Sequence, residues 1–222
     1  MMRTNIVAVN YFHSNRYIIM PAVKKRPRGR PPEYDADQAL ERAAQCFWKH
    51  GYSGTSLDDL ASATGMNRPS LYAAFGNKRE LYLKTLRRYR DESREAVKGL
   101  LADEPSLRVY LGRFFQAALD VYFAGSGAGR GCYSIGTAAT EAAVDAAVRS
   151  FLGDSIQSTD AFLARLVRRA IEQKEIHPKA DPEALARILT ATLHTLAIRS
   201  RAGQPRSELD KLAADTIKIV CG

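Results

Sequence analysis

The sequence predicts an all-α protein of 222 residues, with three short helices near the N-terminus and six more helices after them. Three observations support this fold class. Beyond residue 35, apolar residues recur at intervals of three and four, and the strict alternation of a strand is not found. Asparagine, aspartate, proline and glycine fall where helices must begin or end. The length is sufficient for one or two domains with a hydrophobic core.

The first three helices are delimited by their capping residues. One helix is predicted over residues 40–48, where apolar side chains follow helical spacing. The next begins at Ser56, which forms a capping box with an aspartate three residues later. Gly65 ends it, because glycine adopts a left-handed conformation at little cost. Asn67 then caps a further short helix, with Pro69 in its first turn, where no backbone donor is missed.

The third helix has two distinct faces. Leu71 and Phe75 lie four residues apart and are expected to face inward, whereas Arg68 and Tyr72 are expected to face outward, with Ser70 beside them. Two short helices joined by a tight glycine turn are the layout of a helix-turn-helix, whose second helix enters the DNA major groove. A three-helix bundle of another kind shows the same spacing, so the spacing alone leaves both interpretations open.

Lys78 falls in the first turn of the next helix, which Asn77 caps. A cation at this position opposes the helix dipole, so the helix gains nothing from it. A phosphate close by would explain its placement.

The string from Ala36 to Tyr82 carries a longer pattern: F-x-x-x-G-[YF]-x-x-T-[ST], then I-A-x-x-[AS]-G, then L-Y-x-x-F-x-[ND]-K-x-x-L. The residues that match it are Phe47, Gly51, Tyr52, Thr55, Ser56, Leu60, Ala61, Gly65, Leu71, Tyr72, Phe75, Asn77, Lys78 and Leu81. This pattern resembles the DNA-binding domain of the TetR family of transcriptional repressors. Thr64 stands where Ala or Ser is usual in the family, and Pro69 stands where many members carry Gly. Both departures bear on which operator is read.

The resemblance implies roles for the matching positions. The phosphate-contacting positions would be Thr55 or Ser56, Tyr72 and Lys78. The positions close to base edges would be Arg68 and Ser70, and Pro69 between them is a further DNA-binding candidate. An arginine prefers guanine O6 and N7, a bidentate contact worth about 1–3 kcal/mol of discrimination. The alternative for Tyr72 is a core aromatic ring with its hydroxyl at the surface, but inward positions already filled by other side chains favour the phosphate contact.

The net charge of +9 is concentrated in the first 90 residues. They hold 16 Lys/Arg and 7 Asp/Glu, whereas residues 91–222 hold 17 of each. This asymmetry is what electrostatic attraction to DNA requires. A solvated basic face on a cytosolic protein is the alternative, and it does not explain the partition.

A second DNA signal lies in the basic segment KKRPRGRPP at residues 24–32. Its core resembles an AT-hook, an extended segment that inserts arginines into the minor groove of A·T-rich DNA. Arg28 and Arg30 are the candidate DNA-binding residues in this arm. A disordered basic linker is the alternative, and the two interpretations are compatible because the arm would be disordered when free.

These signals divide the chain into a disordered or extended basic arm (1–33), a helix-turn-helix domain (34–80) and a C-terminal effector-binding and dimerisation domain (81–222). Residues 1–19 lack a continuous apolar run and a cleavage site, so we expect an upstream start codon or disorder there instead of a signal peptide. No stretch approaches the roughly 20 apolar residues of a membrane span. Three sparse cysteines without metal spacing predict a reducing, cytoplasmic location.

After residue 77, helices are predicted at 78–101, 105–124, 132–141, 145–173, 182–201 and from 207 onward, with Gly153 as a weak point. The last two resemble the family's dimerisation pair, which packs against its copy as a four-helix bundle. The dimerisation candidates are Leu185, Ile188, Leu189, Thr192, Leu196, Leu209, Leu212 and Ile217. The alternative is burial of this stripe within one chain. A dimer is favoured because two DNA-binding heads, one helix-turn-helix domain from each protomer, must meet successive major grooves, about 34 Å apart.

The resemblance also implies a small-molecule pocket in the C-terminal domain, whose ligand tilts the long helix after the reading head. Such a ligand biases an equilibrium between two states of the protein. The pocket candidates are Tyr89, Phe115, Tyr122, Cys132, Tyr133, Thr137, Thr140 and His194. A role in the core or at an interface is the alternative for each of them. Mostly apolar walls predict a hydrophobic or aromatic effector.

Cys132 supports a different hypothesis, a redox or electrophile sensor. It opens a helix directly after a glycine-rich loop, and Arg130 lies two residues before it. A helix N-terminus and a cation both lower the pKa of a thiol, which increases its reactivity. The alternative is a buried structural cysteine.

The sequence therefore predicts a homodimeric repressor that a small effector releases from a palindromic operator in double-stranded DNA, with no metal, cofactor or membrane partner. We expect no enzymatic activity, because the sequence shows no nucleophile elbow, phosphate loop, metal-ligand cluster or paired carboxylates on one helix. A nonspecific architectural DNA protein is the remaining alternative. It would show weak sequence preference, whereas a repressor prefers its operator by a factor of about 10³ or more. Activation instead of repression stays open.

Overall fold

The computed structural model describes residues 35–101, 103, 106–125 and 129–222. All regular elements in these ranges are α-helices, which confirms the predicted fold class. The helices are α1 (Ala36–His50), α2 (Leu57–Thr64), α3 (Arg68–Phe75), α4 (Lys78–Gly99), α5 (Leu107–Tyr122), α6 (Tyr133–Glu141), α7 (Ala146–Glu172), α8 (Pro182–Arg201) and α9 (Arg206–Cys221). The predictions for residues 1–19, Arg28 and Arg30 lie outside the described residues.

The turns of the helix-turn-helix form as the capping residues predict. The Ser56 Oγ accepts from the Asp59 backbone N–H at 3.0 Å, and an Asp59 carboxylate oxygen accepts from the Ser56 N–H at 2.8 Å. Gly65 ends α2 in the left-handed conformation, at φ 72° and ψ 15°. The Asn67 Oδ1 accepts from the Ser70 N–H at 2.9 Å and so starts α3. These short-range bonds satisfy backbone groups that a helix end leaves open.

A small hydrophobic core holds α1, α2 and α3 against the start of α4. Phe47 and Leu60 are fully buried, and Leu71, Phe75 and Leu81 are nearly so. Full burial of a side chain of this size contributes about 1.5–3 kcal/mol. The inward face of α3 is therefore committed to the core, and its opposite face is left to solvent.

The remaining helices form a second layer of packing. α7 packs along α8, α5 packs along α9, and α8 also contacts α9. The short helix α6 contacts α1 and α4 on one side and α7 and α8 on the other. Among the described residues, no helix is both long enough and apolar enough to cross a membrane.

The first helix begins four residues before the predicted range and ends two residues after it, whereas the ends of the helices after residue 77 differ from the prediction by no more than two residues. α4 ends at Gly99 and α5 begins at Leu107, after the Ser106 cap. The predicted weak point at Gly153 does not interrupt α7, which is continuous across it.

Part of the predicted dimerisation stripe is corrected by the structure. Leu189 and Leu196 are fully buried and Leu209 is 1% exposed, so all three pack inside the chain itself. A periodic apolar stripe shows that a helix face is covered, but it does not show by which surface. Ile188 is 47% exposed and remains available to a partner.

We predict opposite effects for two glycine-to-alanine substitutions. Gly131 has a φ of 68°, and a Cβ there would lie 2.5 Å from the Ala197 carbonyl oxygen, so Gly131→Ala should lower the free energy of unfolding by about 1–3 kcal/mol. Gly153 lies inside α7 with no atom within 4 Å of an added Cβ, so Gly153→Ala should raise it by about 1 kcal/mol. Urea unfolding followed by circular dichroism measures both. Equal stability of the two variants would contradict the packing described for Gly131.

Candidate nucleic-acid interface

The outward face of α3 carries the side chains that the sequence placed there. Arg68 and Pro69 are exposed, and Tyr72 is 46% exposed although it lies between buried residues of the same helix. Ser70 is half-buried, and Ala73 next to Tyr72 is exposed. The face thus has a cation and a phenol one turn apart, with small residues between them that let another surface approach closely.

Arg68 is bound to a residue that the sequence did not reveal. Its Nε donates to one carboxylate oxygen of Asp58 at 3.0 Å, and its Nη2 donates to the other at 2.6 Å. Asp58 lies ten residues earlier, in the first turn of α2, and both side chains are exposed. This hydrogen-bonded pair raises the pKa of Arg68. The contact depends on the angle between two helices, which no sequence spacing expresses.

Thr55 and Ser56 have different environments. Thr55 is 1% exposed, and its hydroxyl donates to the Gly51 carbonyl oxygen at 2.6 Å. Ser56 is exposed at the N-terminus of α2, and its hydroxyl also donates to Asp59 at 2.7 Å. The prediction allowed a phosphate contact from either residue. Both hydroxyls have partners within the protein, but Thr55 is buried and Ser56 is exposed, so Ser56 is the better candidate of the pair for a phosphate contact.

Lys78 is half-buried at the start of α4. Its Nζ lies 4.4 Å from the ring centroid of Tyr52, a cation–π contact that holds the ammonium at the edge of the head. Burial lowers the pKa of Lys78, and the nearby carboxylates of Glu141 and Asp59 oppose that shift. The side chain is therefore held in one place at the same end of the head as Ser56.

Trp48 and Arg130 form a contact, which we call the joint, between the head and the rest of the protein. The Trp48 Nε1 donates to the Arg130 carbonyl oxygen at 3.2 Å, and the Arg130 guanidinium lies 3.8 Å from the indole centroid. The same guanidinium donates to Gln45 and to the Val121 carbonyl oxygen. Arg130 thereby links α1 of the head to the end of α5.

Two buried hydroxyl pairs extend this joint along α4 and α6. The Tyr82 hydroxyl lies 2.7 Å from the Thr137 Oγ1, and the Tyr133 hydroxyl lies 2.7 Å from the Thr85 Oγ1. The four side chains are buried. Each threonine hydroxyl also donates to a backbone carbonyl of its own helix, Thr137 to Tyr133 and Thr85 to Tyr82. Breaking either pair is costly, because it would leave a buried tyrosine hydroxyl without this partner. The α4–α6 contact is consequently fixed in register.

The surface above the joint carries two more links between the head and the rest of the protein. The Ser53 hydroxyl donates to Glu141 at 2.8 Å, and the Arg79 guanidinium donates to both carboxylate oxygens of Asp145. The Arg79 guanidinium also holds the pKa of Asp145 below its ordinary value. These contacts were not predicted from the sequence, although Trp48 is the single tryptophan of the chain.

The predicted effector residues separate into two groups. Tyr89, Tyr122, Cys132, Tyr133 and Thr137 lie around the joint; Tyr89 packs edge-on against Tyr133 at 5.6 Å, and burial raises the pKa of both tyrosines. The other three have separate surroundings: Phe115 is buried against Phe114, Thr140 is exposed on α6, and His194 is half-buried on α8 with its pKa lowered by burial.

The structure removes the physical basis for an activated Cys132. Burial raises the pKa of its thiol, and this effect outweighs the backbone N–H groups of α6 and the hydroxyl of Tyr89, which lower it. The Tyr89 hydroxyl is 3.6 Å from the sulfur. Arg130 lies over the ring of Trp48 instead of providing a cation at the thiol. The direction of this shift is opposite to the one that the sequence suggested, and a redox or electrophile role of Cys132 stays an untested prediction.

Together, the fold and this surface define a helix-turn-helix DNA-binding protein with a helical C-terminal domain. Family models match both parts. The model for bacterial regulatory proteins of the tetR family matches residues 39–85, and the model for the tetracyclin repressor-like C-terminal domain matches residues 110–215.

Relatives of similar length extend the match over most of the chain. The HTH-type transcriptional repressor ComR of Escherichia coli is 33% identical over 88% of this chain and 93% of its own. The regulator YezE of Bacillus subtilis is 33% identical over 83% of this chain and 93% of its own. A cysteine-substituted TetR-family regulator, CifR, in complex with 26-base-pair operator DNA, has a TM-score of 0.75 and 28% identity, covering 86% and 98% of the two chains. The chain belongs to the TetR family and is a DNA-binding transcriptional regulator.

We predict that Cys132 reacts slowly. Since burial raises the pKa of its thiol, alkylation by iodoacetamide at pH 7.5 should be at least about tenfold slower than that of a free cysteine, whose pKa is about 8.5. The rate should keep rising as the pH passes above that value. Peptide mass spectrometry of the native protein over a pH series measures the modification of each cysteine, with urea-unfolded protein as the control. Full labelling of native Cys132 at neutral pH, at the unfolded rate, would contradict the burial effect.

Proposed function

We propose that this regulator is a homodimeric repressor that binds a palindromic operator through α3 and dissociates from it when a small molecule binds the C-terminal domain. The observation that carries the proposal is the outward face of α3, where Arg68 and Tyr72 are exposed on a helix whose other face is fixed in the core. An arginine at the start of a recognition helix is placed to read a guanine edge in the major groove.

The surroundings of α3 support contact with the DNA backbone. Ser56 and Lys78 stand at the starts of α2 and α4, close to the same end of the head, where backbone N–H groups also attract phosphate. The excess of basic residues in the first 90 positions supports the same orientation. The basic arm with Arg28 and Arg30 would add minor-groove contacts beside the operator. A solved structure of CifR, which shares this fold, is a complex with operator DNA.

A dimer through α8 and α9 fits the exposed residues of these helices. The solvent face of α8 carries a stripe spaced by four and three residues: Ala184, Ile188, Ala191, Thr195, Ile198 and Ala202. Ile198 is 60% exposed, and Ile219 on α9 is 77% exposed. Large apolar side chains grouped on one face of a soluble protein mark an interaction surface. Among the predicted residues, Leu185, Ile188, Thr192 and Leu212 retain exposed surface for such a contact.

The effector would act through the joint between the head and the C-terminal domain. Tyr133 and Thr137 already have hydroxyl partners on α4, so a ligand could engage these side chains only by replacing those bonds. Breaking them would free α4 to tilt, and a coupling of about 1–3 kcal/mol would loosen DNA binding about 5–150-fold. The aromatic walls formed by Tyr89, Tyr122 and Tyr133 favour a hydrophobic or aromatic effector.

The first test is selection of bound DNA from a random pool with purified wild-type protein at a stated salt concentration. A palindromic motif with half-sites about one helical turn apart is the expected result. Arg68→Ala should relax the base preference at one position of each half-site, with a loss of about 1–3 kcal/mol of discrimination. Lys78→Ala should weaken binding to all sequences and reduce the salt slope by about one per head.

Lys98→Ala is the matched control, since Lys98 is exposed at the far end of the same helix and pairs only with Glu95 among the described residues. It should leave affinity and motif unchanged. If the selection enriches A·T-rich DNA without a palindrome, the result would favour a nonspecific architectural DNA-binding protein. An unchanged motif with Arg68→Ala would show that α3 does not read bases through this residue.

The dimer is tested by a charge on the α8 stripe. Ile198→Asp should shift the protein to monomers and weaken operator binding by about 10²-fold or more, because two linked heads bind far more tightly than one. Sedimentation velocity measures the oligomeric state. Val144→Asp, at an 84% exposed apolar residue between α6 and α7, is the control and should leave the dimer intact. A stable dimer of Ile198→Asp would place the interface elsewhere.

A further inference from the structure

The Asp58–Arg68 pair has a geometry that a stabilising surface ion pair does not need. Both side chains are more than half exposed, at 74% and 53%, and an ion pair with this exposure contributes about 1 kcal/mol or less. Yet the two hydrogen bonds, at 3.0 and 2.6 Å, hold the guanidinium in one orientation at the first turn of α3. A side chain that is held in place without a large gain in stability calls for a role in recognition.

The guanidinium edges show what that role is. A guanidinium has five N–H donors in a rigid planar fork. Asp58 accepts one bond from Nε and one from Nη2, which together form one edge of the fork. The edge formed by Nη1 and the second hydrogen of Nη2 stays unused by Asp58. Two parallel N–H groups on one edge are what the O6 and N7 of guanine accept.

We propose that Asp58 is a positioning residue that presents the Nη1–Nη2 edge of Arg68 to a base, and so sets the sequence discrimination of this regulator. The inference rests on the proposed reading of DNA by α3. Asp58 has two effects. It fixes the side chain before DNA arrives, which avoids an ordering cost of the kind that weakens binding about 2- to 13-fold per side chain. It also offsets the charge of Arg68, which makes the arginine a poorer ligand for phosphates of unrelated DNA.

The two effects move specific and nonspecific binding in opposite directions. Without Asp58, Arg68 would lose its fixed orientation toward the operator base and would be free to contact phosphates. The carboxylate itself would no longer repel the DNA backbone. The affinity for the operator should therefore fall while the affinity for unrelated DNA rises. A pair that served only to hold α2 against α3 would instead weaken both affinities together and lower the melting temperature.

The experiment compares wild-type protein with Asp58→Ala on the selected operator and on a scrambled duplex of the same length, across a salt series. We expect the ratio of the two dissociation constants to fall about tenfold, with nonspecific binding tighter and its salt slope steeper by up to about one per head. Thermal unfolding should be nearly unchanged. In an Arg68→Ala background, Asp58→Ala should have no further effect on base preference, because Asp58 acts through that arginine.

Asp103→Ala is the matched control. Asp103 accepts two bonds from Arg113, at 2.6 and 2.8 Å, in a pair away from the head whose side chains are 60% and 41% exposed. The Asp103→Ala substitution changes the net charge by the same amount as Asp58→Ala, and it should leave the ratio of the two dissociation constants unaltered. An enriched wild-type motif with an unchanged ratio in Asp58→Ala overturns this inference alone. A wild-type protein that enriches no motif overturns the proposed function and this inference with it.

Discussion

The contact between Trp48 and Arg130 is the constraint on which the placement of the reading head depends. The indole donates to the Arg130 backbone while the Arg130 guanidinium covers its ring, so a single residue of the C-terminal domain holds the end of α1 by two independent interactions. The hydroxyl pairs between α4 and α6 then fix α4, the helix that follows the recognition helix α3. Any change that moves α6 must act on α1 and α4 together.

Local chemistry made much of this structure predictable from the sequence. Ser56, Gly65 and Asn67 act on backbone groups no more than four residues away, so their identities reveal the turns of the helix-turn-helix directly. Leu71 and Phe75 show the buried face of α3 by spacing, and the exposed face with Arg68 and Tyr72 follows from it.

Contacts that depend on tertiary geometry were not predictable in the same way. Trp48 and Arg130 are 82 residues apart, and Arg68 meets Asp58 only because α2 and α3 cross at a particular angle. The same limit explains the error at Leu189, whose spacing indicated a covered face but not the covering surface. Cys132 shows a further limit: position at a helix start indicates a lowered pKa, whereas burial, which a sequence does not give, reverses the direction.

Within the head, the residues that attach it to the rest of the protein and the residues proposed to read bases lie on different helices. Its attachment to the rest of the protein includes Gln45, Trp48 and Tyr82 on α1 and α4, whereas the residues proposed to read bases lie on α3. A chimera that received α2 and α3 from a relative would keep Gln45 and Trp48, the two residues of α1 that contact Arg130. New binding sites could therefore be acquired by exchanging the segment from Leu57 to Phe75, while the rest of the protein is inherited unchanged.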